Sequence, residues 1–126
     1  MLYVILAGLA AWVWGAVWYG VRGKAWMADA GLSPEDLQKK DPVPFIAAAV
    51  LAILCAGMMR HAFVASGVDS LAKAMTSGLG VGLFLVMPWV ATNYLFAQRP
   101  KRLILIDGAY AVGGCLLISI VLSFGL

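Results

Sequence analysis

Four long stretches of the sequence contain no charged side chain, and they constrain the fold more than any other feature. They cover residues 1–21, 42–59, 74–98 and 108–126. A helix needs about 20 mainly apolar residues to cross the roughly 30 Å hydrocarbon core of a bilayer, because each residue adds about 1.5 Å. The four stretches therefore predict four membrane-spanning helices, at residues 1–22, 43–66, 74–97 and 103–125.

The composition excludes a soluble monomer. Hydrophobic side chains make up 63% of the 126 residues and charged side chains only 12%, whereas a soluble domain has about 45–50% apolar and about 25% charged residues. Lipid cannot hydrogen-bond a bare backbone, and the alternating pattern of a β-barrel is missing from the sequence. We therefore predict an all-α integral membrane protein, a four-helix bundle forming one domain over residues 1–126. A cleaved signal peptide is the alternative for the first stretch, but no basic residue precedes it.

The distribution of basic residues predicts the orientation. Lys and Arg concentrate in cytoplasmic loops of membrane proteins. Seven of the nine lie in the first and third loops, and two lie near the second. We therefore expect an inner-membrane protein whose termini both face the periplasm. The net charge of +3 suits anionic lipid head groups, and no basic stripe with interleaved aromatic residues predicts a nucleic-acid partner.

The first loop, residues 23–42, is predicted to be cytoplasmic and amphipathic, with two short helices on the membrane surface. The first would cover residues 24–30 and end at Gly31, a residue suited to a left-handed helix end. The second would begin at Ser33, with Pro34 in its first turn. Trp26 would lie on the membrane.

Small residues predict where helices approach closely. Gly15 follows Ala7 and Ala11 at four-residue spacing, and Gly78 and Gly82 form a GxxxG pair. Such ridges serve either packing inside the bundle or dimerisation. Farther along the third helix, Pro88 cannot donate a backbone hydrogen bond, so a kink is expected there.

One intramembrane acid stands out. The turn around Pro100 is short enough to form a helical hairpin, and Asn93 and Asp107 each lie seven residues from Pro100. The two residues are therefore expected at one depth, with Tyr94 and Tyr110 beside them. An acid inside the membrane suggests function by default. The alternative is a structural clip at the interface, formed with Arg99, Lys101 or Arg102.

A second candidate site lies at the opposite interface. Arg60 and the single histidine, His61, adjoin each other near the end of the second helix. They are interpreted either as a polar pair that reaches the head groups or as a gate or proton site. No second His or nearby carboxylate joins them, so we predict neither a metal nor a cofactor. Cys55 and Cys115 are interpreted as unpaired packing residues.

Two segments, GAVWYGVRGKAWMADAGLS at residues 15–33 and NYLFAQRPKRLILIDGAYAVGG at residues 93–114, resemble the bacterial membrane-protein family catalogued as domain of unknown function 1761 (DUF1761). The resemblance implies a short four-span protein and no established activity. Asp107 departs from it, since a neutral polar residue is expected there. The matching positions are Trp18, Tyr19, Gly23, Lys24, Trp26, Met27, Asn93, Phe96, Gly108 and Tyr110.

Three classes of function remain open. We predict a noncatalytic membrane protein that self-associates or serves as an accessory subunit of a larger membrane complex, because the sequence contains no catalytic constellation. The alternative is an oligomeric transporter or channel for a small solute or ion that uses the Asn93/Asp107 layer. That alternative would place Asp107, Asn93 and Arg60 in a common cavity. A membrane enzyme would use Asp107, Tyr110 or His61 as acid or base.

Overall fold

The computed structural model describes residues 1–32 and 42–126, and the described part is all-α, as predicted. The second predicted loop helix, from Ser33, lies outside the described residues. Each of the four helices is long and apolar enough to cross a membrane, which suggests a multi-pass membrane protein. They are α1 (Leu2–Ala30), α2 (Val43–Ala65), α3 (Leu71–Phe96) and α4 (Lys101–Ser123).

The helices alternate in direction, so the bundle has two chemically different ends. At one end, the Tyr3 ring lies against Gly125, which brings the two chain termini together. The other end carries Lys24, Arg99, Lys101 and Arg102, and Arg102 and Arg99 both contact the end of α1. We call these the terminal end and the basic end. Which of them faces the cytoplasm stays a prediction from the loop charges.

α4 is the central helix of the bundle. It packs along α1 on one side and α3 on the other, whereas α2 packs mainly against α1. In the most apolar window of each helix, 33% of the residues are buried for α4 and 11% for α2. The main apolar core lies between the middle of the bundle and the terminal end, and includes Phe63, Ala74 and Leu122.

α1 is longer than predicted. It continues without a break to Ala30, so the predicted separate helix over residues 24–30 is the last part of α1 and not an independent element. No proline interrupts this part of the chain, and Gly31, with φ of 73°, ends the helix in the left-handed conformation. At 1.5 Å per residue, 29 residues span about 44 Å, which exceeds the hydrocarbon core. α1 is therefore longer than such a layer is thick, and its last turns carry Lys24 and Asp29.

An ion pair holds this extension against α4. Arg102 Nε lies 2.6 Å from Asp29 Oδ2, and the Arg99 guanidinium donates a hydrogen bond to the Ala30 carbonyl at 3.2 Å. We expect Asp29→Asn to lower the free energy of unfolding by no more than about 1 kcal/mol, because Arg102 is largely exposed. Hydrogen exchange should nevertheless quicken over residues 24–30. The Asp69→Asn control should leave exchange in that segment unchanged, and equal rates in Asp29→Asn and wild type would contradict this assignment.

Pro88 affects α3 just before its own position. The segment Gly82–Val86 is a π-helical turn, in which the Met87 N–H donates to the Gly82 carbonyl. Pro88 has no N–H to donate to the Phe84 carbonyl, so the regular ladder cannot continue through this turn. Wide turns of this kind are a known cause of helix bending.

Candidate functional site

Asp107 is the centre of a polar cluster near the basic end. The Tyr94 hydroxyl donates a hydrogen bond to Asp107 Oδ2 at 2.5 Å, and the Tyr19 hydroxyl donates to Oδ1. The three residues belong to α3, α4 and α1. One carboxyl group therefore connects three helices, and we call Tyr19, Tyr94, Asp107 and Tyr110 the tyrosine–aspartate cluster.

Aromatic rings pack around this cluster. The Tyr19 ring lies 5.2 Å from the Tyr110 ring and 5.8 Å from the Trp26 ring, measured between centroids. Offset and edge-on pairs at such distances contribute about 0.5–1.5 kcal/mol beyond the area they bury. The rings fix the direction of the Tyr19 hydroxyl toward Asp107.

Two tryptophans tie α1 to the backbone of α4. Trp14 Nε1 donates to the Tyr110 carbonyl at 3.0 Å, and Trp18 Nε1 donates to the Ile106 carbonyl at 2.9 Å. The two indoles stack on each other with centroids 5.4 Å apart. Helical carbonyls have a second lone pair, so these bonds add to the helix ladder without replacing it.

Glycines make room for the cluster. A Cβ atom at Gly15 would lie 2.8 Å from Tyr110 Cε1, and one at Gly108 would lie 2.0 Å from Met87 Sδ. Gly15 therefore allows the Tyr110 ring to sit against α1. Gly108 lets Met87 of α3 cover α4 next to Asp107.

Asn93 does not face Asp107. Its side chain is exposed, and Tyr94 makes the contact with Asp107 instead. The expected polar layer thus contains a tyrosine–carboxyl contact, in which Asn93 takes no part. The hairpin argument gives the depth of a residue, but adjacent helical residues point about 100° apart, since a turn has 3.6 residues.

The predicted alternative clip is also replaced by another arrangement. The ion pair of Arg102 is with Asp29, and both oxygens of Asp107 accept hydrogen bonds from tyrosines. Within residues 1–32 and 42–126, Asp107 forms no ion pair. The charged groups at the basic end therefore hold the extension of α1, while Asp107 acts one layer deeper.

A cavity of about 170 Å³ adjoins the cluster at the basic end. Its walls combine one acid, one base, two aromatic rings and three aliphatic side chains. These residues are Asp107, Arg99, Trp26, Tyr94, Ala30, Leu32 and Leu103. Of the three side chains that the transport alternative requires in one cavity, only Asp107 lines it.

Arg60 and His61, the candidate residues at the terminal end, do not line the cavity there. Arg60 and His61 are exposed at the end of α2, and they do not line the second cavity, of about 420 Å³, which lies between the α2–α3 turn and the first turns of α3. In that turn, the Lys73 ammonium lies 3.0 Å from Asp69, and its hydrogen bond and charge lower the pKa of that carboxyl. Among the described residues, no group of three His, Cys, Asp or Glu side chains could hold a metal ion.

The remaining predicted positions serve different contacts. A Cβ atom at Gly78 would lie 1.8 Å from Ser119 Oγ, and one at Gly82 would lie 2.8 Å from Val112 Cα, so this pair packs against α4. Gly23 has no atom within 4 Å of its Cβ position. Lys24 is exposed, and so is Phe96.

Sequence reasoning missed the roles of Tyr19 and Asp29. Tyr19 stood out in the sequence only as a position of the family motif, and Asp29 was not among the candidate residues. One signal was available: an intramembrane acid needs donors, and Tyr19 and Tyr94 are hydroxyl-bearing residues near its depth. The pairing of α1 with α4 was the missing information.

The comparisons with known proteins identify one family. A family model described as "Protein of unknown function (DUF1761)" matches residues 2–123, nearly the whole chain. No curated protein and no solved structure matches the chain.

Proposed function

Since the chain belongs to the DUF1761 family of proteins of unknown function, we propose a role from its geometry: a noncatalytic membrane protein that acts by association. Its partners would be further copies of the chain or a larger membrane complex. The proposal of a noncatalytic role rests on the contacts of Asp107, whose two oxygens accept hydrogen bonds from tyrosines of α1 and α3. A carboxyl group bound in this way serves as a fastening between helices.

The association part is supported by the position of α2. This helix packs mainly against α1, and its outward face exposes Leu51, Leu54 and Met58. α2 is thus an edge helix with one main neighbour and the smallest buried share of the four helices, so its apolar face is open to lipid or to another helix. The small residues of α1 and α3, by contrast, do not support association, since Gly15 and Gly78 pack within the bundle.

Native mass spectrometry of the detergent-purified protein, with any partners that copurify, tests this proposal. We expect a particle heavier than the single chain of 13.4 kDa, made either of copies or of this chain with a membrane partner. A single chain without a partner, in several mild detergents, would contradict association.

Disulfide crosslinking locates the contact if the particle consists of copies. In a variant in which Cys55 and Cys115 are replaced by serine, Leu54→Cys on α2 should crosslink in native membranes. Leu105→Cys is the matched control, because Leu105 is equally exposed but lies on α4. Crosslinking at residue 105 but not at residue 54 would contradict the assignment to α2.

Transport by an oligomer is the second candidate, and the cavity beside Asp107 is the observation that favours it. It predicts that Asp107→Asn abolishes solute flux in proteoliposomes while the bundle stays folded. Under the first proposal, proteoliposomes with wild-type protein and with this variant should show the same flux as empty vesicles.

A further inference from the structure

The cavity at the basic end contains two opposite charges that are not paired with each other. Asp107 and Arg99 both line it, yet they form no ion pair, and neither forms one with another residue of the described ranges 1–32 and 42–126. The acids Asp29 and Asp69, in contrast, each have a basic partner. A carboxylate and a guanidinium across one small cavity fit a ligand that carries both charges.

Both groups retain hydrogen-bonding capacity. A carboxylate offers about four acceptor positions, and the tyrosines occupy one on each oxygen of Asp107. A guanidinium has five N–H donors, of which Arg99 uses one on the Ala30 carbonyl. A cation at Asp107 and an anion at Arg99 would therefore leave the present contacts in place.

The residues that line the cavity and its volume indicate which chemical groups a ligand would carry. Trp26 and Tyr94 border the cavity beside Asp107, and aromatic faces attract cations within about 6 Å. Arginine suits phosphate, because its planar fork forms two parallel hydrogen bonds. Since liquid water occupies about 30 Å³ per molecule, a cavity of about 170 Å³ holds about six water-sized groups. That volume admits a small zwitterionic group but not a whole lipid molecule.

The cavity lies close to the start of α4. Asp107 lies six residues after Lys101, the first residue of α4, or about 9 Å along the axis. Arg99 lies before α4 begins and is exposed. Asp107 thus lies farther along α4 than Arg99, and Leu32 and Leu103 add apolar walls.

We propose that this cavity binds a phosphoethanolamine group, with its ammonium on Asp107 and its phosphate on Arg99. The group can belong to a phosphatidylethanolamine head group or to free phosphoethanolamine, since both have the same chemistry. This inference goes beyond the proposed function, because the site is complete within one chain and does not depend on association.

Competition between defined lipids tests the proposal on the full-length protein. The purified protein is delipidated in detergent, incubated with equal amounts of phosphatidylethanolamine and phosphatidylglycerol, and analysed by native mass spectrometry. We expect at least about tenfold preferential retention of phosphatidylethanolamine. Isothermal titration calorimetry with phosphoethanolamine, with ethanolamine alone and with inorganic phosphate alone measures binding of the free compounds.

Variants locate the binding. Arg99→Gln and Asp107→Asn should each reduce retention of the zwitterion by about tenfold or more. Arg60→Gln and Asp69→Asn are the matched controls, because they remove the same types of charge at the terminal end, and they should bind as the wild type does. Arg99 is exposed, and within the described ranges its side chain bonds only to the Ala30 carbonyl, so Arg99→Gln decides the question if Asp107→Asn fails to fold.

Each outcome either identifies the source of the phosphoethanolamine group, lipid or soluble compound, or overturns the proposal. Retention of the lipid without binding of free phosphoethanolamine identifies the head group as the ligand, and the reverse identifies the soluble compound. Equal retention of the two lipids with no binding of phosphoethanolamine overturns the proposal. Binding that survives both Arg99→Gln and Asp107→Asn also overturns it. None of these results depends on whether the particle is a monomer or an oligomer.

Discussion

Gly78→Ala is expected to lower the free energy of unfolding by about 2–3 kcal/mol, although alanine is the better helix former. The added Cβ atom would lie 1.8 Å from Ser119 Oγ, 2.6 Å from Ser119 Cβ and 3.0 Å from the Cys115 carbonyl oxygen. Rotation of the Ser119 hydroxyl relieves only the first of these contacts, and Ser119 is completely buried. The α3 and α4 backbones would therefore have to move apart.

Gly80→Ala is the matched control for this substitution. Gly80 lies in the same helix two residues later, and no atom lies within 4 Å of its Cβ position. Both variants gain the same helix propensity, up to about 1 kcal/mol, so their difference isolates the packing cost. Unfolding by sodium dodecyl sulfate in mixed micelles, followed by tryptophan fluorescence, measures both. Equal stabilities would show that α3 does not approach α4 through Gly78.

Asp107→Ala should lower the free energy of unfolding by about 2–3 kcal/mol. The substitution removes the acceptor of two tyrosine hydroxyls, on α1 and α3. Hydrogen bonds to charged groups contribute about 1.5–3 kcal/mol each, and interhelical bonds in membranes lie at the lower end of that range or below it. The same mixed-micelle titration measures the loss, and a change under about 0.5 kcal/mol would contradict the fastening role.

Asp107→Asn is the conservative comparison. The amide oxygen can accept from one tyrosine, and the amide N–H can donate to the hydroxyl oxygen of the other. We therefore expect a loss of less than half of that in Asp107→Ala. If Asp107 acts through hydrogen bonds, stability should fall from the wild type to Asp107→Asn and further to Asp107→Ala. If its charge is what matters, the two variants should be equally destabilised.

The sequence sufficed for the number of helices and for the level of Asp107 along the α3–α4 hairpin. Both follow from lengths: the charge-free stretches match the thickness of a bilayer, and the hairpin turn at Pro100 sets equal depths on its two sides. The partner of Asp107 did not follow, because depth says nothing about the direction in which a side chain points. Asn93 and Tyr94 differ by one residue, yet only Tyr94 faces α4.

The partner of Asp107 on α1, Tyr19, could not be predicted from the sequence either. Which helix packs on α4 depends on the arrangement of the whole bundle, and the chain passes through α2 and α3 between Tyr19 and Asp107. The end of α1 was predicted too early for a related reason. Arg22 and Lys24 end the charge-free stretch, but a helix can continue past charged residues, and here Arg102 holds Asp29 at its end.

A double-mutant cycle between residues 94 and 107 tests the central claim, that the Asp107 carboxyl fastens α4 to its neighbours, most directly. The cycle combines Asp107→Ala with Tyr94→Phe and measures the free energy of unfolding of all four proteins. If the Tyr94 hydroxyl bonds to Asp107, the two losses should be coupled by about 1 kcal/mol or more. Losses that add to within about 0.3 kcal/mol would mean that the two groups do not interact, and would contradict the account.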